Sequence, residues 1–135
     1  MPQASLNLKR FDFTNARDSI VIVNALGDLP GGRTLDVTNY EGDVIYAGTV
    51  IAKKQDNGND VYFPLSITES KKPYEQGATF STLSSGETAV GILKVSIPKD
   101  MPIAAIVTLG QIKEKAMPAA MPATVKKALN FIQFI

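Results

Sequence analysis

The sequence predicts a mainly β fold of the α+β class: one mixed or antiparallel, barrel-like sheet in a single domain, with one short C-terminal helix. Three observations carry this expectation. Runs of β-branched residues recur along the chain, and most are bounded by Gly, Pro or Asn. The pair Asn57-Gly58 sits between two β-prone runs, the residue signature of a tight hairpin. Only residues 117–130 place apolar side chains at helical spacing.

Element by element, "LNLKRFDF" (residues 6–13) alternates through Leu6 and Leu8, then continues with Phe11 and Phe13 after one slip of phase. It reads as a strand or an extended arm. "SIVIVNA" (19–25) is continuous and β-branched, the pattern of a strand buried on both faces. "GDLPGG" (27–32) is a turn, and "TLDVTNY" (34–40) alternates like a half-buried strand. "DVIYAGTVIAKK" (43–54) is strongly β-prone, with Gly48 at a bulge or close approach. "VYFPL" (61–65) is the return strand, which Pro64 places at an edge or at its end.

A polar loop fills residues 70–82. The apolar runs 88–97 and 103–109 are expected to pair as a long hairpin in mid-sheet, being too apolar to face water. The helix lies within 117–130, with Pro118 or Pro122 in its first turn, where a missing N–H costs nothing. Val125, Ala128 and Leu129 share one face of it, with Lys126 and Lys127 opposite. "NFIQFI" then returns to alternation.

Composition narrows the function. The chain has 135 residues, a net charge of +1, and no Cys, His or Trp. That length buries a core without disulfides. Zinc, haem and iron–sulfur sites lose their usual ligands, and Ser-His-Asp or Cys-His catalysis cannot be built. No cofactor or metal is expected. Near-neutral charge gives no support to nucleic-acid binding, and no run approaches the ~20 apolar residues of a membrane helix. The chain reads as soluble and unexported.

The motifs are sparse. Asp56, Asn57, Asn59 and Asp60 suggest a calcium loop, but Gly58 stands where a ligand is needed, so a turn is the better reading. "SSGE" (84–87) offers a hydroxyl and a carboxylate with no partner base. Tyr40, Tyr46, Tyr62 and Tyr74 suit half-buried strand positions better than an exposed platform. Met117 and Met121, flanked by Pro118 and Pro122, fit either loop packing or contact with another chain. A glycosidase would need two of Asp36, Glu41, Asp43 and Glu87, and their scatter among turns argues against it.

The order of segments carries more. "LPGGRTLDVTNYEGDVIYAGTVIAKK" (29–54), then "VYFPL", "VGILKVSIPKDMPIAAIVTLGQI" (90–112) and "VKKALNFIQFI" (125–135), resembles the tailed-phage head fibre and head decoration proteins. The likeness spans residues 29–135 and rests on the order and spacing of turns and strands. The family's turn between the two long strands is usually richer in aspartate and alanine than residues 98–102.

The resemblance implies a β-tadpole-like shape, often trimeric, bound to the major capsid protein on the outer face of the virion shell after synthesis in the host cytoplasm. It implies a decoration or auxiliary capsid protein, not an enzyme and not a long fibre. Residues 29–135 would form the decoration-protein-like domain. Residues 1–28 would form an arm or edge strand, with Leu6, Leu8, Phe11 and Phe13 contacting the capsid by strand addition. Met117 and Met121 are the second set of capsid-contact candidates. The alternative is a carbohydrate- or host-surface-binding β module, which keeps a weak glycan contact among the expected partners. Membrane and nucleic acid are not.

Overall fold

The computed structural model describes residues 17–135; Leu6, Leu8, Phe11 and Phe13 lie outside the described residues. The chain is mainly β, with few and short helices, as the runs of β-branched residues imply. A single helical turn, α1 (Asp18–Val21), leads into β1 (Ile22–Asp28). There follow β2 (Arg33–Thr34), β3 (Val44–Ile45), β4 (Val50–Asp56) and β5 (Asn59–Pro64). Beyond the 70–82 loop come β6 (Thr88–Leu93), β7 (Ile97–Pro98), β8 (Ile103–Ala104) and β9 (Ile106–Ile112). The helix α2 (Ala123–Ala128) and β10 (Ile132–Phe134) complete the order.

The main sheet runs β1-β9-β6-β4-β5, with β10 beside β9. Its pairs are antiparallel except β9–β10. Two small ladders, β2–β8 and β3–β7, stand apart. β4 and β6 are buried on both faces. Val50, Ala52 and Ile92 enter one core with Phe80, Val125 and Ile132. Their neighbours Ile51 and Leu93 enter a second core with Leu35, Ile45 and Ile106. Successive residues of a strand point to opposite faces, so a run without polar gaps serves two cores. Each fully buried Ile or Leu contributes roughly 1.5–3 kcal/mol relative to exposure.

Two glycines fix close approaches. A Cβ on Gly91 would lie 2.2 Å from the Val107 carbonyl oxygen, so only glycine lets β6 lie this close to β9. Gly48 has φ +95°, and a Cβ there would lie 2.6 Å from Val21 Cγ1 and 3.1 Å from Pro118 Cδ. The expected close approach at Gly48 is therefore present, and it joins three distant parts of the chain.

The Asn57-Gly58 turn forms as its residues require. Both have positive φ, 52° and 82°, and Asp56 pairs with Asn59 across it. Pro64 is the last residue of β5, and β5 is an end strand of the sheet.

Other expectations are corrected. Residues 19–25 are not a two-sided buried strand. They begin as a helical turn, with Ile20 and Val21 N–H donating to Arg17 O, and continue as an edge strand with Val23 and Leu26 exposed. The Asp18 carboxylate fixes that turn, accepting from Ser96 N–H at 2.8 Å and from its hydroxyl at 2.6 Å. Of residues 34–40, only Thr34 remains in a strand. The Asp36 carboxylate accepts from Thr38 N–H and hydroxyl, a local turn that competes with pairing. The 43–54 run breaks at a turn in which Thr49 N–H donates to Tyr46 O.

The expected long hairpin is also shorter. β6 and β9 are neighbours in mid-sheet, but they pair only at Ile92–Val107 and Leu93–Ile106. Beyond that point the chain diverges into β7 and β8, which pair with β3 and β2. Pro98 and Pro102 lack the N–H groups that a continued ladder would use. In the helix, Pro122 is the N-cap and Val125 and Leu129 are buried, whereas Ala128 is exposed. α1 and two 3-10 turns, at Thr68–Ser70 and Glu114–Ala116, add to the one helix that was foreseen.

Gly91→Ala is expected to lower stability by about 1–3 kcal/mol, because the new methyl meets backbone rather than a movable side chain. A thermal melt indistinguishable from the parent would contradict the strand spacing described above. Two glycines inserted after Gly58 are expected to shift stability by no more than ~0.5 kcal/mol, since both turn residues are exposed.

Candidate functional site

Two surface features stand out, one polar and one apolar. The polar feature is a set of three adjoining clefts of about 280, 290 and 580 Å³. The first two share Asn39, Tyr40 and Ser66, and the first and third share Glu41, Lys71 and Pro73. Together they form a row of adjoining open clefts, a groove with Phe63 and Pro64 of β5 in one cleft and Val44 of β3 in another. The backbone joins its walls: Asp36 N–H donates to Tyr62 O, Ile67 bridges Phe80, and Ser81 N–H donates to Ser66 O.

The four carboxylates that looked scattered in the sequence all reach this groove. Asp36 and Glu87 line one cleft, Asp43 another, and Glu41 two of them. The scatter in sequence is thus no argument against their convergence. Their local roles differ. Hydrogen bonds from the Thr38 hydroxyl and N–H hold the Asp36 carboxyl below its usual range, against a small opposing effect of burial. Glu87 accepts from Ser84 N–H at 2.8 Å, so "SSGE" is a turn closed by its own carboxylate. Glu41 and Asp43 are exposed. Glycosidic hydrolysis pairs a protonated carboxylic acid with an ionised carboxylate, and Asp36 fits only the ionised role.

The four tyrosines do not form one platform. Tyr40 is buried, donates its hydroxyl to Val44 O at 3.0 Å, and accepts from Lys99 Nζ through its carbonyl. Burial, then the nearby Tyr46 and Tyr74, push its phenol up to about 12. Tyr46 meets Tyr74 edge to face at 5.4 Å, and the Arg17 guanidinium lies 4.3 Å over the Tyr74 ring. Tyr62 lies under Arg33. Burial is the main cause that raises the Tyr74 phenol as well. Tyr74 and Glu69 both have positive φ, 67° and 58°, a conformation that costs an ordinary residue about 1–2 kcal/mol. Glu69 lines the groove, and Tyr74 packs on Tyr46, which lines it too.

The apolar feature lies at the other end of the strand order. Ile20, Val23 and Leu26 on α1–β1, Leu109 on β9, and Phe131 and Ile135 flanking β10 are all exposed. Leu109 lies over Gly27, whose lack of a side chain leaves it uncovered. Among the described residues β1 pairs only with β9 and has no strand on its outer side. β5, by contrast, is covered at Tyr62 by Leu35.

Of the residues singled out for capsid contact, Met117 is only 6% exposed and belongs to the core that holds Val21 and Val125. Little of it is left for a partner, although it lines an open cleft of about 580 Å³ with Met121, Arg17 and Tyr74. Met121 is half-buried against the same core. The exposed apolar side chains of β1, β9 and β10 were missed as a set. Their signal was present: "VIVNAL" (21–26) carries bulky apolar residues beside polar ones in a segment that a single turn precedes. Compared with family models, with curated proteins and with solved structures, the chain has no match in any of the three.

Between pH 10 and 12 the folded chain is expected to lose stability in part through Tyr40. Its phenol ionises near 10.0 when unfolded but near 12 when folded, so the native state holds that proton longer. The contribution is complete below pH 10 and lost as pH rises through 12. Tyr40→Phe should flatten the fall of Tm across that window, although it loses the hydrogen bond to Val44. An unchanged slope would mean that Tyr40 is reached by solvent.

Proposed function

We propose that the chain is a structural virion protein that binds the outer face of an assembled phage capsid, as a decoration or auxiliary capsid protein. The observation that carries this reading is the β1 edge, which among the described residues has no strand on its outer side and carries exposed Val23 and Leu26. An edge strand presents unpaired N–H and C=O groups to a partner strand, and proteins normally blunt such edges. Here Val23 and Leu26 are 47% and 65% exposed along it, the pattern of a surface that acquires a cover. The likeness in order and spacing to head decoration proteins supports the identity of that cover as the major capsid protein.

The chemistry fits a protein that acts by shape. Small contacts repeated over associated copies, a homotrimer on the shell, give firm binding by avidity without any single strong site. Reinforcement of the joints between capsid subunits follows from such binding. In the sequence, the segment with Leu6, Leu8, Phe11 and Phe13 precedes α1, and it is the candidate for an arm that adds as a strand to the capsid.

The double variant Val23→Lys, Leu26→Lys is the direct test. Both side chains are exposed, so its thermal melt is expected to match the parent. Co-sedimentation with mature capsids is expected to fall at least about tenfold, as lysines oppose strand addition and apolar burial. Undiminished occupancy would place the contact elsewhere, and equal binding to unexpanded procapsids would contradict a role on the finished shell.

A further inference from the structure

We propose that the polar groove is a binding site for a neutral oligosaccharide chain, which it holds without cleaving. This reading is independent of the capsid reading and concerns clefts that no residue of β1 lines. The shape comes first. Three open clefts adjoin through shared lining residues, and such a row of clefts fits an extended chain better than a compact ligand.

The unspent hydrogen-bonding capacity comes next. Among the described residues, the side chains of Asn39, Glu41, Asp43 and Glu69 make no hydrogen bond or ion pair. They line the groove as acceptors, and Asn39 also as a donor. Ser84 adds a hydroxyl in the second cleft, beside Ser66 and Ser81, whose hydroxyls are already bonded to each other at 3.3 Å. Sugar hydroxyls both donate and accept, and a wall that mixes carboxylates, an amide, hydroxyls and lysines can satisfy both.

Half-buried Phe63 and Tyr46 lie in different clefts; Lys54 Nζ sits 5.5 Å over the Phe63 ring, and Tyr46 meets Tyr74 edge to face, so only part of each ring is left for the apolar face of a pyranose. Charge narrows the ligand class. Carboxylates outnumber Lys54, Lys71 and Lys72 along the walls, so a polyanion such as nucleic acid is repelled. The same lysines, interspersed with the acids, weaken the case for a basic peptide. The strained backbone at Glu69 sets one of the unspent carboxylates at the wall of the central cleft.

The test is an NMR titration of the purified, isotope-labelled full chain without capsids. The probes are cellohexaose, maltohexaose and chitohexaose, against a heparin hexasaccharide and hexalysine. At least one neutral sugar is expected to bind, with amide shifts centred on residues 39–43 and 66–73 and little dependence on salt. Asn39→Ala and Glu41→Ala are each expected to weaken that binding about tenfold, with unchanged thermal melts. Their capsid occupancy should also stay at the parent level, which separates failure here from failure of the capsid reading. The proposal is overturned if no neutral sugar binds, if only heparin or hexalysine binds, or if the shifts fall outside the groove. Release of shorter sugars during the titration would replace the binding site with a hydrolase.

Discussion

Everything in this fold depends on two strands being buried on both faces. Val50-Ile51-Ala52 and Ile92-Leu93 send neighbouring side chains into opposite cores, so the sheet needs a cover on each side. One cover is α2 with the segments around Phe80 and Met117. The other is built from the segments of the two small ladders and Tyr40. The short strands β2, β3, β7 and β8 are therefore the lid of the second core. Among the described residues Thr49 is the buried polar side chain, and its hydroxyl donates to Tyr46 O at 2.7 Å. Polar groups are left to the surface, where the groove forms.

Much of this was legible in the sequence, and for local reasons. Asn57-Gly58 specifies a turn whose φ values few other pairs tolerate, so its hairpin could be read from two residues. The apolar run around Ile92 marked a strand without a wet face, and the β-branched run around Ile51 marked a strand. What escaped was the partner of each segment. The run 88–97 and the run 103–109 look like mates, but Ile97 pairs with Ile45 and Ala104 with Arg33. Periodicity reports how a strand is buried and not against what. Residues 19–25 misled for the same reason: their side chains have strand chemistry, but one long-range bond set, Asp18 to Ser96, turns the first of them into a helical turn.

The candidate surfaces were legible as residues and not as sites. Asp36, Glu41, Asp43, Glu87 and Tyr40 were each visible, but three separate turns bring them to one groove. Those turns are held by bonds such as Asp36 N–H to Tyr62 O and Tyr40 O to Lys99 Nζ, whose partners lie far along the chain. Met117 misled in the other direction. Its proline-flanked, irregular context suggested an adaptable surface residue, but Gly48 makes room for that backbone to press inward, close to Met117 Cα.

The junction at Gly48 also has a temporal side. Val21, Gly48 and Pro118 meet there, and Ile22 pairs with Ile112. On a translating ribosome that adds ~5–20 residues per second, β1 emerges on the order of seconds before β9 exists to pair with it. Throughout that interval Val21, which the finished fold buries completely, and Ile22, which pairs with Ile112, lack the later segments they pack against. Slowing translation between β1 and β9 would lengthen the vulnerable period, and so raise aggregation, without altering a single native contact.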